Sequence, residues 1–371
     1  MLRLTPSLIS ERRKLHPRYY KYTQNRNGLY FRLNAVHLVD GKVGFAVGNR
    51  GTILRTTNGG ISWELLSCRT TRHLYGVHFY DKNVGIAVGS RGTIIRTMDG
   101  GEDWSRVVPY QYTVDPLTLR GVFLSDSESA VVVGGLQIGE NGLYGEQGLI
   151  LLTDDGGRTW EACPRSKELD GLNAVDFING LGFAVGGLSY YNLYDGLYVM
   201  SSIIVKTDNG GKTWIQMQSP LENPVSRIQP WSNPVWDVCF CDSLHGIIIG
   251  GPGIPPFFTD DGGASWNTSQ PNTPHHTNWY SVCFADDKTA VAVGGRWNFA
   301  GSFDRIYRST NRGLTWQEVY RMDYAFKHDF PVSLLGVSFG DPYIGVAVGL
   351  GSQILRTQDS GKTWNKVSLS V

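Results

Sequence analysis

Two arginines stand at equivalent positions of a motif that occurs twice, VGNRGT around Arg50 and VGSRGT around Arg91. A guanidinium group can donate two parallel hydrogen bonds to one carboxylate, so paired arginines favour an acidic ligand. Nine further residues are candidates for the same binding site: Arg72, His73, Tyr75, Arg120, Trp236, His276, Tyr280, Arg296 and Trp297. Arginine mixed with tyrosine and tryptophan is typical of recognition surfaces. Ordinary solvated loop side chains are the alternative interpretation.

A second set of residues is suited to cleaving carbohydrate. Glycoside hydrolysis usually needs two carboxyl groups about 5–10 Å apart. The candidates are Glu140, Glu146, Asp195, Asp237 and Asp304, and no spacing in the sequence pairs them. A polysaccharide lyase would instead use a histidine base beside a tyrosine, and its candidates are His73, His275, His276, Tyr190, Tyr191 and Tyr280. A carbohydrate-active enzyme acting on an anionic polysaccharide is therefore the second functional hypothesis.

Seven copies of one eight-residue pattern, Ser/Thr-x-Asp/Asn-x-Gly-x-Ser/Thr-Trp, divide the chain into repeats. We call them Asp boxes: TTNGGISW ending at Trp63, TMDGGEDW at Trp104, TDDGGRTW at Trp160, TDNGGKTW at Trp214, TDDGGASW at Trp266, STNRGLTW at Trp316 and TQDSGKTW at Trp364. An Asp or Asn oxygen can accept bonds from N–H groups across the turn, and glycine supplies a positive φ. Successive tryptophans are 41 to 56 residues apart, the length expected for one propeller blade.

A recurring segment upstream of each Asp box supplies two short apolar strands. In the first copy we predict strand A as AVHL, strand B as GFAVG, strand C as TILRT and strand D as SWELL, with the Asp box in the C–D hairpin. We therefore predict an all-β fold, a seven-bladed β-propeller of four-stranded antiparallel blades, over residues 29–371. Residues 1–28 are predicted to be an N-terminal extension.

This topology predicts that the candidate binding residues share one face. Because the Asp boxes lie on one face, the B–C and D–A connections must lie on the other, around the mouth of the central channel. Three B–C connections are long, and we expect them to be loops: LQIGENGLYGEQG, LSYYNLYDGLYVMS and RWNFAGSFD. Long loops on a rigid scaffold commonly carry binding function.

One column of positions contains metal-ligand types. The middle residue of the recurring Val-x-Phe segment, or its close variants, is His37, His78, Phe123, Asp176, Cys239, Cys283 or Ser338. Histidine, cysteine and aspartate bind zinc. Equivalent positions of successive blades are nevertheless spread around a ring and point at neighbouring sheets, so they do not converge on one ion. We therefore predict no metal and no cofactor, and expect hydrogen-bonded core histidines and unreactive thiols.

Composition excludes some partners. The formal net charge is +1, which gives no overall attraction to nucleic acid or to an anionic membrane. Five cysteines are an odd number without metal-binding spacing, so we expect buried thiols rather than a disulfide framework. The N-terminal residues lack the apolar core of a secretion signal, and no apolar run approaches a membrane span. We expect a protein without membrane insertion, and a cytoplasmic one if Met1 is the native start.

The combined pattern, L-x-x-V-x-F, then G-x-A-V-G, then G-x-I-x-x-T-x-D-G-G-x-T-W, resembles the photosystem II stability and assembly factor family of seven-bladed propellers. The resemblance covers nearly the whole chain from about Leu29, and blades one, two and seven match best. It implies a non-catalytic scaffold that binds a client protein, for example a membrane-protein assembly intermediate. An arginine-lined patch is the contact that the resemblance implies, and Arg50 and Arg91 match it.

Overall fold

Short runs of valine, isoleucine and phenylalanine form the strands, because β-branched and aromatic side chains pack well on a pleated surface. The computed structural model describes residues 24–25, 28–29, 32–107, 117–140, 143–163, 169–187, 189–192, 197–220, 234–251, 254–270, 278–298, 301–324 and 333–368. Seven four-stranded antiparallel sheets follow one another along the chain, each in the order A-B-C-D, which confirms the predicted seven-bladed propeller. Contacts between the A strands of successive blades connect the sheets.

The strands of the seven blades have the following bounds. Blade 1 has Leu33–Leu38, Gly44–Gly48, Thr52–Thr56 and Glu64–Leu65; blade 2 has Leu74–Phe79, Gly85–Gly89, Thr93–Thr97 and Ser105–Arg106; blade 3 has Leu117–Leu124, Ala130–Glu140, Leu143–Thr153 and Glu161–Ala162; blade 4 has Leu172–Ile178, Leu181–Gly186, Ile203–Thr207 and Ile215–Met217; blade 5 has Val235–Phe240, Gly246–Gly250, Phe257–Thr259 and Asn267–Thr268; blade 6 has Asn278–Phe284, Ala290–Asn298, Gly301–Ser309 and Gln317–Tyr324; blade 7 has Leu334–Phe339, Gly345–Gly349, Ile354–Thr357 and Asn365–Lys366. Gln24–Asn25 and Gly28–Leu29 form a small separate hairpin.

Blade 7 supplies its own strand D, so blades 7 and 1 share no strand. Side-chain contacts join the two blades instead. The Ser338 hydroxyl accepts a hydrogen bond from the N–H of Leu38 at 2.9 Å. The Arg356 guanidinium donates to the carbonyl of Gly59 at 2.6 Å. No helix among the described residues is long and apolar enough to cross a membrane.

Each Asp box is held by the same two hydrogen bonds to backbone N–H groups. In the first box the Thr56 hydroxyl accepts from the N–H of Gly60 at 2.9 Å, and the Asn58 side-chain oxygen accepts from the N–H of Ser62 at 2.9 Å. Both bonds recur in the other six boxes. The turn requires a positive φ at Gly60, which is 83°, and glycine adopts this conformation without steric cost. The tryptophan that follows is buried in six boxes, and Trp266 is partly buried.

The second Asp box is weaker than the others, because Asp103 stands where they carry serine or threonine. Thr159 and Thr363 each donate a hydroxyl bond of 2.7 Å to the box aspartate, whereas only the backbone N–H of Asp103 bonds to Asp99. We expect Asp103→Thr to raise the free energy of unfolding by about 0.5–1 kcal/mol, since it adds one hydrogen bond and removes a like charge. The exposed ion pair that Asp103 forms with Arg69 is worth little.

Thermal unfolding measures this gain, and Asp103→Ala is the matched control. Alanine removes the charge without adding a donor, so its gain should be smaller than that of threonine. Equal stability of the threonine and alanine variants would contradict the missing-bond explanation.

The long B–C connections are largely strands, so the expectation of loops is wrong for the described residues. In blade 3 the B–C ladder runs without a break from Ala130 paired with Thr153 to Glu140 paired with Leu143. In blade 6 it continues to Asn298 paired with Gly301. Blade 4 carries a separate hairpin of Ser189–Asn192 and Leu197–Met200. Backbone groups of these glycine-rich segments satisfy one another by pairing, which the local sequence does not reveal.

Candidate functional site

Hydrogen bonds join the B–C turns of blades 1 and 2 at the channel mouth. The N–H of Arg50, in the B–C turn of blade 1, donates to Nδ1 of His73 at 3.1 Å. The N–H of Gly51 donates to the carbonyl of Arg72 at 2.7 Å, and the N–H of Ser90 donates to the carbonyl of His73 at 2.9 Å. His73 therefore links the two turns that carry the paired arginines, as the predicted topology requires.

Both paired arginines adopt a backbone conformation that disfavours side chains. The φ of Arg50 is 60° and that of Arg91 is 55°, and each is followed by a glycine of positive φ. Two such residues in succession form the tight turn that suits a β-hairpin. A non-glycine residue in this region costs about 1 kcal/mol relative to glycine. Blade 7 places Gly351, with a φ of 74°, in the corresponding turn, so the turn itself does not require arginine.

A β-bulge interrupts strand A of every blade near the end of the strand that lies at the mouth. The pairing of strands A and B skips one residue in each blade: Asn34, Tyr75, Arg120, Asn173, Trp236, Tyr280 and Leu335. Such a bulge leaves the extra residue out of the ladder and redirects its side chain. Sequence reasoning placed four of these residues at the mouth without predicting the bulge. The small or short side chain that always follows, such as Ala35 or Gly76, was the available signal.

Three bulge residues are engaged by neighbouring blades. Asn34 donates to a carbonyl of blade 2 at 2.6 Å, and Asn173 donates to a carbonyl of blade 5 at 2.9 Å. Arg120 lies near a carbonyl of blade 4 and forms an ion pair with Glu146, with Nη2 2.7 Å from Oε1 and 3.0 Å from Oε2. The charge of Arg120 is thus largely balanced within the protein.

Two bulge residues of blades 5 and 6 form an aromatic pair. The ring centroids of Trp236 and Tyr280 are 6.5 Å apart with an interplanar angle of 54°. Trp236 is 36% exposed, whereas Tyr280 is mostly buried. The Tyr280 hydroxyl accepts a hydrogen bond from Asn278 at 3.2 Å. Burial raises the pKa of Tyr280, so its hydroxyl remains protonated.

Arg32 is a mouth residue that the sequence reasoning missed. Its Nε donates to Oδ1 of Asn34 at 2.9 Å. Burial lowers the pKa of His73, and the charges of Arg50 and Arg32 lower it further. The Arg32 charge also acts on Tyr280 of blade 6. The charge of Arg32 therefore acts on both the blade 1–2 rim and the aromatic pair. Its position immediately before strand A, where Arg72 and His73 precede the next blade, was the available signal.

The remaining candidates divide into two groups. Arg296 and Trp297 lie in strand Ala290–Asn298 of blade 6, and His276 lies outside the described residues. Of the carboxylates proposed for carbohydrate cleavage, Glu146 is paired with Arg120, Asp237 accepts the N–H of Val282 at 2.9 Å, and Asp304 is fully buried. These three carboxylates do not form an exposed pair. Asp195 and His275 lie outside the described residues, and Glu140, Tyr190 and Tyr191 lie in described strands.

The middle residues of the Val-x-Phe segments, such as His37 and Asp176, contact the neighbouring blade. His37 Nδ1 accepts from the N–H of Phe79 at 2.9 Å, and Asp176 accepts from the N–H of Phe240 at 2.8 Å. Burial lowers the pKa of His37 to about 4 and raises that of Cys283 to about 12. None of the five cysteines, all of which lie among the described residues, forms a disulfide, and all five are partly buried. No group of three or more metal-binding side chains occurs among the described residues.

Comparison with known proteins supplies independent findings. Residues 30–108 and 61–175 match the family described as photosynthesis system II assembly factor YCF48. The photosystem II assembly lipoprotein Ycf48 of Synechococcus sp. (strain CC9902) is 26% identical over 151 residues, which cover 38% of this chain and 41% of that protein. The match thus spans about two fifths of the curated relative.

Solved structures resemble nearly the whole chain. A structure of YCF48 bound to D1 peptide has a TM-score of 0.61 at 19% identity, covering 88% of this chain and 92% of that one. The GH74 xyloglucanase from Xanthomonas campestris has a TM-score of 0.63 at 13% identity, covering 92% of this chain and 55% of that one. At these identities the likenesses establish the fold. The family match over residues 30–108 and 61–175, with the Ycf48 relative, confirms the resemblance to photosystem II assembly factors.

Proposed function

We propose that this protein is a non-catalytic scaffold that holds a client protein at its channel mouth, with Arg50 and Arg91 contacting acidic side chains of the client. The observation that carries the proposal is that Arg50 and Arg91 occupy the same position of equivalent turns in neighbouring blades. Blade 7 places glycine at this position, so the turn itself does not require arginine. The two turns are linked through His73, so both guanidinium groups start from fixed positions on neighbouring blades.

The similarity to photosystem II assembly factors supports a protein client. One solved relative carries a D1 peptide, and a segment of a membrane-protein assembly intermediate is the client class that we propose here. Glu146, Asp237 and Asp304 are each engaged within the fold, which favours binding over carbohydrate cleavage. An anionic polysaccharide is the competing ligand.

Charge reversal at the two arginines tests the proposal. Arg50→Glu with Arg91→Glu should weaken binding of a fluorescent D1 peptide at least about tenfold, because charge-assisted bonds become repulsive. Wild-type binding should also weaken as salt rises from 50 to 300 mM, since exposed charges are screened. Fluorescence anisotropy measures both, and pull-downs from source-cell lysate extend the test to natural clients.

Two controls separate charge from fold. Arg158→Glu with Lys212→Glu changes the net charge equally at exposed positions of two Asp boxes, on the opposite face. This variant should bind like the wild type. Arg50→Gly with Arg91→Gly relieves the backbone strain, so it should fold at least as stably and still lose binding. Unchanged binding by the charge-reversed protein, or cleavage of an anionic polysaccharide by the wild type, would overturn the scaffold proposal.

A further inference from the structure

The mouth has two chemically different sides. Arg32, Arg50 and Arg91 supply positive charge at blades 1 and 2. In a ring of seven blades, the blade opposite the junction of blades 1 and 2 is blade 5, which carries Trp236. Tyr280 of blade 6 packs beside this tryptophan at 6.5 Å. The bulge residues of blades 3 and 4, by contrast, are engaged with neighbouring blades.

Hydrogen bonds to other blades hold the residues on both sides of Trp236. Trp236 is the bulge residue of strand Val235–Phe240, and the residues beside it are fixed. Asp237 accepts the N–H of Val282 in the neighbouring blade at 2.9 Å, and Val235 accepts from Asn173 at 2.9 Å. An aromatic ring that is held in place while partly exposed loses little conformational entropy on binding, which is why tryptophan and tyrosine dominate binding hot spots. The fold therefore presents an apolar anchor facing a cationic one.

We infer that the channel mouth recognises a bipartite client segment, in which an acidic residue meets the arginines and an aromatic or large aliphatic residue packs on Trp236 and Tyr280. This inference rests on the proposed function and adds the specificity of the same site. The occupant is an extended protein segment, because the cationic side demands a carboxylate and the opposite side demands an apolar side chain on the same ligand.

Synthetic peptides with a glycine–serine background test the inference. One peptide carries two glutamates, one carries a single tryptophan, and three carry both groups separated by two, four or six residues. The wild type should bind the best bipartite peptide at least about tenfold more tightly than the acidic peptide. Trp236→Ala should abolish this advantage while leaving affinity for the acidic peptide unchanged. Arg50→Glu with Arg91→Glu should weaken binding of every glutamate-containing peptide.

Tyr343→Ala is the matched control, because Tyr343 is an aromatic residue in an A–B turn of the opposite face and is 63% exposed. It should bind all five peptides like the wild type. Trp236→Leu keeps an apolar side chain and should retain part of the bipartite advantage, which guards against a folding defect in the alanine variant.

The outcomes separate this inference from the proposed function. If acidic and bipartite peptides bind equally well and charge reversal weakens both, the bipartite inference is wrong and the scaffold proposal stands. If no peptide binds while polygalacturonate binds in a Trp236-dependent manner, both are wrong and the aromatic side is a carbohydrate platform. A bipartite advantage that survives Trp236→Ala would also overturn the inference.

Discussion

Replacing Trp214 by alanine is expected to lower the free energy of unfolding by about 3–5 kcal/mol, the usual result of truncating a buried aromatic side chain. Trp214 is 6% exposed and packs against Val131 and Val133 of the preceding blade. Its ring lies edge-on to Phe177 at 5.9 Å, and its indole donates to the carbonyl of Gly211 at 2.8 Å. The substitution removes these contacts and leaves a cavity between blades 3 and 4.

Ile215 supplies the matched control for this substitution. It is the next residue in the chain but is 69% exposed, so Ile215→Ala should change stability by less than about 0.5 kcal/mol. Urea unfolding followed by circular dichroism measures both variants. Client binding should be unaffected at temperatures where the Trp214 variant remains folded, because the Asp boxes lie on the face opposite the mouth. Full stability of Trp214→Ala would contradict the role of the box tryptophans between blades.

The stability of the protein should depend on the ionisation of Asp176 in the channel. Burial, with a further contribution from the charge of Asp237, raises the pKa of Asp176 to about 7, while N–H bonds from Phe240 and Phe177 oppose the shift. Between about pH 4 and pH 7 the folded protein keeps a proton that the unfolded chain has lost. The folded state therefore loses stability from this group as the pH rises through that window.

Asp176→Asn removes this dependence. Between pH 5 and pH 8, the free energy of unfolding of the asparagine variant should rise by about 1–2 kcal/mol relative to that of the wild type. This change is smaller than the full pKa shift implies, because Asp176 is partly accessible to solvent. Any constant cost of the amide is the same at each pH and cancels from the comparison. Thermal or urea unfolding at several pH values measures the gain.

Asp155→Asn is the control for this comparison. Hydrogen bonds from Thr159 hold the pKa of the exposed Asp155 at about 2, so this carboxylate is ionised in both folded and unfolded chains above pH 5. Other Asp boxes carry asparagine at the same place, as in Asn58 and Asn209. The stability difference between this variant and the wild type should therefore stay constant from pH 5 to pH 8. A constant difference for Asp176→Asn as well would mean that Asp176 is ionised in the fold.

Local interactions explain why the architecture could be predicted from the sequence. Each Asp box is closed by bonds between residues two to four positions apart, such as those of Thr56 with Gly60 and of Asn58 with Ser62. These bonds need no distant partner, so every box leaves its full pattern in eight consecutive residues. Seven boxes at blade spacing then determine the number of blades and the face on which the hairpins lie. The segregation of Arg50 and Arg91 to the opposite face follows from this alternation.

The composition of the mouth was decided by the tertiary structure, because its contacts join residues of different blades. Arg120 reads as a binding residue in the sequence, yet Glu146, 26 residues later, balances its charge. Arg32 lies before the first predicted strand, yet its charge acts on Tyr280 of blade 6. The β-bulges at Trp236 and its equivalents depend on the register between strands A and B. The long B–C hairpins of blades 3 and 6 extend the pairing of strands B and C beyond the usual length of a blade strand. The sequence determined the scaffold through local bonds, whereas the site arose from long-range packing.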